Sequence, residues 1–204
     1  MTTDILLLAG VASAVLFVAV LFIEGATRAG YNPKYHTGSE LQLGDRGWVQ
    51  IANFVQMGVG TAAFAAGVYR VLGTPAGAVL LGVFALGMFI AGVMVPDPGR
   101  GYPPGSMAQS QGRPSWHHRI HHIVGGPVAF LAIFAACLTM AARLDGAWTI
   151  YSGATAAAGL GLTGWTAASY QKDAKNTGIV QRSLILVYWT WIAALGIHLV
   201  TYSQ

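Results

Sequence analysis

Charge is scarce in this chain. Of its 204 residues only 9% are Asp, Glu, Lys or Arg, where an ordinary soluble domain carries about 25%. So few charges cannot cover a water-facing surface, which excludes a soluble globular domain and makes lipid the solvent for most of the chain. Cysteine is nearly absent. The single Cys137 excludes an internal disulfide and a Cys-based zinc site, and its apolar surroundings read as those of a small buried side chain. There is no basic run or stripe. The formal charge of +4 comes from Lys and Arg scattered over short loops, so nucleic acid is excluded as a partner. No basic segment precedes the first apolar run, which argues against a cleavable signal peptide. No spaced row of charges lies inside the apolar runs, and no pair of broken helices recurs in two related halves. Both absences speak against a channel or transporter. Low-complexity tracts and an internal duplication are also missing, so residues 1–204 read as one domain.

What the chain has is length of apolar sequence. A spanning helix needs about 20 mostly apolar residues. Six runs qualify, near residues 5–23, 48–72, 76–95, 123–142, 148–170 and 180–202. Strands with open edges are excluded in lipid, because each unpaired backbone group there costs several kcal/mol. The expected fold class is therefore all-α: a polytopic membrane protein with six transmembrane helices in one bundle, in contact with membrane lipid. The 27 glycines suit helices that approach closely in a bilayer. Gln50, Asn53 and Gln56 in the second run read as hydrogen-bonding contacts between helices. Trp48, Trp116 and Trp148, each near a helix start, read as anchors at the membrane interface.

The connections after the second and fourth runs are very short, and those after the first, third and fifth are long. With six spans the three long loops share one membrane face. They hold Arg28, Lys34, Arg46, Arg100, Arg113, Arg119, Lys172, Lys175 and Arg182, leaving only Arg70 and Arg143 for the other face. The positive-inside rule then places the long loops in the cytoplasm and the termini outside.

The longest polar interval is Pro96 to His122, PDPGRGYPPGSMAQSQGRPSWHHRIHH. It holds Asp97, a Gly/Pro-rich loop and four histidines as HHxxHH. On a helix, positions four apart share a face. His117 with His121 is one such pair and His118 with His122 another, roughly 100° away around the helix. Four stretches carry a resemblance: YNP at 31–33, SEL followed by LGDRGWVQIANFVQMG within 39–58, DPGRGYPPG at 97–105, and SWHHRIH at 115–121. Together, and in this order, they are similar to the bacterial and archaeal membrane proteins grouped as domain-of-unknown-function family 998. The resemblance implies a six-helix membrane fold and no established reaction. It places the family's histidine pair on His117 and His121 and leaves His118 and His122 as additions.

Imidazole is the commonest metal ligand, and a His pair one turn apart is the helical half of many zinc sites. The expected metal set is His117, His121 and Asp97, holding zinc or another divalent ion. His36, Glu40 and Asp45 lie on the same membrane face. A metal-bound hydroxide could attack an ester or amide of a lipid. In that reading Asp97 is a ligand or general base, Ser39 positions substrate, and Arg182 binds a headgroup phosphate or carboxylate. Against it stand plainer roles: interfacial histidines, a turn at Asp97-Pro98, a helix start at Ser39, a solvated Arg182. A second function of another class is a non-catalytic helical subunit packed among other membrane subunits. Haem is not expected. The remaining interior histidine, His198, lies 18 residues beyond Val180, roughly 27 Å along a helix and near the face opposite the cluster.

Overall fold

The computed structural model describes residues 2–107 and 113–202. It is helical throughout, with no strand among the described residues. The long helices are α1 (Thr2–Thr27), α2 (Gly47–Leu72) and α3 (Pro75–Val93), followed by a short α4 (Trp116–Ile123). They continue as α5 (Ala129–Arg143), α6 (Ala147–Gln171) and α7 (Thr177–Tyr202). A 3-10 turn, Gly38–Gln42, lies in the first long loop, and a π-helical turn, Val124–Val128, joins α4 to α5.

Local chemistry sets these bounds. Gly73 adopts φ 60°, where a glycine costs nothing, and its amide closes α2 on the Tyr69 carbonyl. Thr74 then caps α3 by accepting from the Gly77 amide, and Pro75 occupies the first helical position. Ser115 caps α4 by accepting from the His118 amide at 3.1 Å. The fourth helical segment was expected from residue 123. It begins at Trp116 instead, because the cap lies before the histidines and polar side chains escape a reading based on apolar runs. All four histidines are therefore helical.

Five segments are long and apolar enough to cross a membrane: α1, α2, α3, the α4–α5 rod from Trp116 to Arg143, and α7. The sixth helix, α6, has the length, at 25 residues, but its Ser, Thr, Gly and Tyr content makes it less apolar. The helices close a ring: α1 packs on α2, α2 on α3, α3 on α5, α5 on α6, α6 on α7, and α7 back on α1. Trp189, Phe17, Phe84 and Phe64 are fully buried within it. Glycine permits the closest approaches. A Cβ at Gly58 would fall 2.8 Å from the Ala85 carbonyl oxygen and the Phe89 amide nitrogen. The polar residues of α2 tie it to α1, as expected. Asn53 donates to the Phe17 carbonyl at 3.1 Å and Gln56 to the Ser13 carbonyl at 3.3 Å.

The three long loops interlock as a cap over one end of the ring. Arg182 of α7 is buried and donates to the carbonyls of Pro33, His36 and Gly178 at 2.8, 3.0 and 3.1 Å and to the Tyr31 hydroxyl at 2.6 Å. Arg28 pairs with buried Glu24 at 2.5 Å and reaches the Leu43 carbonyl at 3.0 Å and the Tyr102 hydroxyl at 3.3 Å. Arg46 pairs with the other oxygen of Glu24. Arg100 stands over the ring of Tyr35 at 4.0 Å and that of Tyr170 at 5.1 Å, with its Nε 3.2 Å from Asp173.

Four acceptors around one guanidinium cannot be matched by an ammonium. Arg182→Lys should therefore cost about 1.5–3 kcal/mol, at the strength of hydrogen bonds to a charged group. Thermal unfolding in detergent, followed by Trp fluorescence, should show a clearly lower midpoint. An unchanged midpoint would mean that Arg182 does not hold the cap.

Candidate functional site

Beneath the cap, inside the ring, lies a cavity of about 250 Å³. Every long helix contributes to its wall. Its capped end is polar, with Thr37 and Ser39 from the 3-10 turn, His121 and His122 from α4, Tyr170 from α6 and Gln181 from α7. Its deeper wall is apolar, with Phe17, Phe54, Met88, Phe130, Ile185 and Trp189. On one side it is bounded by Gly125, Gly126 and Pro127 of the π turn and, across from them, by Thr163, Thr166 and Ala167 of α6. Pro127 and Ala167 are both exposed on the outer surface, so the wall is open sideways between the π turn and α6. Ala167 lies four residues before Gln171, the end of α6, or roughly 6 Å at helical rise. The opening is thus close to the capped end.

The 3-10 turn is shaped by a reciprocal cap. Thr37 donates to Glu40 Oε2 through its amide at 2.5 Å and its hydroxyl at 2.9 Å. Ser39 Oγ lies 3.2 Å from Thr37 Oγ1. Since the Thr37 proton goes to the carboxylate, Ser39 is the donor in that pair. Burial pushes the Glu40 carboxyl above the usual range, against the Thr37 amide and nearby cations that pull it down. The turn is held to α7 by Gln181, whose Oε1 accepts from the Gly38 amide at 2.7 Å.

The four histidines part company on α4. His117 is exposed and stacks on Trp116 at 3.7 Å between centroids. His118 accepts from the Asp97 amide through Nδ1 at 3.1 Å. The Asp97 carboxylate is 3.8 Å from that same nitrogen, but a nitrogen that accepts from an amide carries no proton, so we read the contact as a hydrogen bond and not an ion pair. His121 is buried and places Nδ1 2.7 Å from the Met94 carbonyl and 3.1 Å from that of Ala91. It thereby caps carbonyls that the end of α3 leaves open. Gln42 does the same, donating to Ala91 at 2.6 Å. His122 lies against His118 with the rings tilted, 4.2 Å between centroids, and reaches the Tyr170 hydroxyl at 3.5 Å.

Of the expected set, then, the structure brings Ser39 and His121 to one cavity. Asp97 lies outside it, where Oδ2 accepts from the Ser115 amide at 2.8 Å and so ties the two ends of the 97–115 loop together. Among the described residues no three His, Cys, Asp or Glu side chains are grouped so as to hold a metal ion. Arg182 lies in the cap, its donors turned to loop carbonyls and Tyr31. His198 stacks on Trp148 at 4.4 Å, at the start of α6. Sequence alone assigns no site role to His122, Tyr170 or Gln181, and the opening is not legible in it. One signal was available: Gly125-Gly126-Pro127 inside an apolar run. Proline lacks the amide that a helix interior needs, and π turns cluster at functional sites.

A ring of apolar helices, capped at one end and open sideways, defines the class: a multi-pass helical membrane protein with an internal cavity. The family described as protein of unknown function, DUF998, matches residues 11–198, and the chain belongs to it. No curated protein and no solved structure matches the chain.

Asp97 gives this region a defined response to acid. Burial raises its carboxyl, but the Ser115 hydrogen bonds outweigh burial and hold it below its usual value. A depressed carboxylate stabilises the fold above the unfolded value, near pH 4 (about 3.9), and that contribution fades as pH falls through the lower folded value. Hydrogen exchange at the Ser115 amide should accelerate as pH is lowered through this window, beyond the intrinsic trend. The Asp97→Asn protein should lose that added acceleration. Identical profiles for the two proteins would contradict the assignment.

Proposed function

We propose that this chain is a six-span membrane protein that binds a single-chain, lipid-like amphiphile in the capped cavity. The head lies against Ser39, His121 and His122, and the hydrocarbon leaves through the gap beside Pro127. The observation that carries this reading is the two-ended wall. Polar groups gather under the cap, aromatic and aliphatic groups lie below them, and the opening faces sideways at a depth suited to lipid entering from the bilayer. Such a site, apolar with a few convergent polar groups, is the common form of a small-molecule pocket. Hydrolysis of a lipid ester or amide would belong in the same cavity. Among the described residues the ligands that zinc or another divalent metal requires are not gathered there, so binding is the reading adopted.

The test uses a chain carrying a brominated tail, which quenches tryptophan, and Trp189 lines the cavity. Saturable quenching is expected for the wild-type protein. It should weaken at least about tenfold in Thr166→Phe, where a larger side chain fills the cavity, a change of roughly 1.4 kcal/mol. Equal quenching in both proteins would sink the proposal. Near-stoichiometric zinc in the purified protein, lost in His117→Ala and His121→Ala, would replace binding by metal-assisted hydrolysis.

Six spans require α6 to cross, and its place in the closed ring between α5 and α7 supports that. In a Cys137→Ala background, Asp145→Cys and Lys172→Cys bracket α6 at exposed positions. Impermeant thiol reagents applied to intact cells should label Asp145→Cys and spare Lys172→Cys, which also puts the long loops inside. Labelling of both from one side would mean that α6 does not cross.

A further inference from the structure

The polar end of the cavity has a distinctive chemistry: hydrogen-bonding groups without charge. Among the described residues that line it there is no Asp, Glu, Lys or Arg. The cap's cations lie outside this wall. Arg182 follows Gln181 of the wall, yet its donors go to Pro33, His36, Gly178 and Tyr31. Arg100 stands outside the wall, over the face of Tyr170 and against Tyr35, with its three guanidinium nitrogens buried and without a hydrogen-bond partner among the described residues. An anionic head would meet no counter-charge inside the wall, and a cationic head no carboxylate. Either would bear the desolvation cost of a buried unpaired charge.

The direction of the hydrogen bonds is also fixed. Carbonyl oxygens only accept, so His121 Nδ1, between the Met94 and Ala91 carbonyls, carries the ring proton. No acidic side chain among the described residues pairs with His121; its ring neighbours are Phe54 and His122. The imidazole is therefore the neutral Nδ1–H form, and Nε2 is a bare acceptor on a residue that lines the cavity. Ser39 gives its proton to Thr37, which leaves lone pairs on Oγ. Gln181 uses Oε1 for the Gly38 amide, which leaves its NH₂ as a donor. The wall thus offers two acceptors and an amide donor at one end.

We infer that the amphiphile bound here has an uncharged hydroxyl head, as in a long-chain alcohol or a monoacylglycerol, whose O–H donates to His121 Nε2 or Ser39 Oγ while its oxygen accepts from Gln181. This rests on the cavity being an amphiphile site, as proposed above, and specifies which chemistry it selects.

Three probes of equal chain length separate the head chemistries: dodecanol, dodecanoate and dodecyltrimethylammonium. Each competes with the brominated probe on the full-length protein in nanodiscs at about pH 8, where the acid is ionised. Dodecanol should compete about tenfold more strongly than either ion, and Ser39→Ala or His121→Phe should reduce that preference to about threefold or less, the scale of one neutral hydrogen bond. Ser39→Ala removes one oxygen and guards against misfolding of the His121 variant, whose ring also caps α3. Equal or stronger competition by either ion overturns the inference and leaves amphiphile binding standing. A preference for dodecanol unchanged in both variants overturns it as well. Failure of all three probes, with no quenching to displace, removes both.

Discussion

A loop buried over the end of a helix ring carries carbonyl groups that have left helix or sheet, and lipid offers them no donor. The arginines of the cap answer that constraint. Arg182 reaches three carbonyls on two elements, Pro33 and His36 in the first loop and Gly178 in its own helix. Arg28 serves the carbonyls of Leu43 and Arg46 in the same way. A guanidinium suits this task because its donors fan out in a plane. Gly178 completes the fit: a side chain there would collide with the Pro33 and His36 carbonyls that Arg182 gathers. The polar end of the cavity depends on this arrangement, since Thr37 and Ser39 sit on the turn immediately after His36.

The same arginines bear on how the chain sits in the membrane. The excess of Lys and Arg in the three long loops combines two populations. Arg28, Arg100 and Arg182 face inward and serve the cap, whereas Lys34, Lys172 and Lys175 lie in exposed or half-exposed loop positions. Only charges of the second kind interact with headgroups. The split between the two lies in packing and not in the sequence. It also explains why Arg182 reads as a headgroup ligand from sequence: a lone Arg in a polar loop looks the same whether its partners are phosphates or carbonyls 149 residues away.

Much of the architecture is legible in the chain because lipid simplifies the code. Long apolar runs become helices, and Gly73 and Thr74-Pro75 mark where one stops and the next starts. The polar stretch at 96–122 does adjoin the site, and its family resemblance holds over nearly the whole chain. Which histidine faces the cavity is not legible. The HHxxHH spacing allows either pair, and the choice depends on how α4 is rotated about its axis. That rotation is fixed by His121 meeting the end of α3 and by Asp97 engaging His118, contacts across 27 and 21 residues. Sequence spacing makes equals of four imidazoles that packing sends to a surface stack, a loop tie, a helix cap and a cavity wall. Tyr170 escaped notice for a related reason: it is a single polar residue near a helix end, where polar residues are ordinary.

The break in the fourth span explains why there is a cavity at all. Gly125 lies so close to α3 that a Cβ would come 2.7 Å from that of Ala91, and a Cβ on Gly87 would come 2.6 Å from that of Ala129. Small residues on both helices thus let the α4–α5 rod press against α3 on one side. Gly126, at φ −99° and ψ −107°, and Pro127 interrupt regular helix at that same level, so no large side chain projects from these positions toward α6. Close contact on the α3 side and open space on the α6 side are two results of one Gly-Gly-Pro segment. The ring stays closed farther down, where the short connection at Leu144–Gly146 keeps α5 beside α6, and it parts near the cap, where His122 and Tyr170 bridge the two. An opening placed there has a polar rim above and an apolar wall below, which is the order in which a lipid inserted from the same side of the bilayer presents its head and its chain.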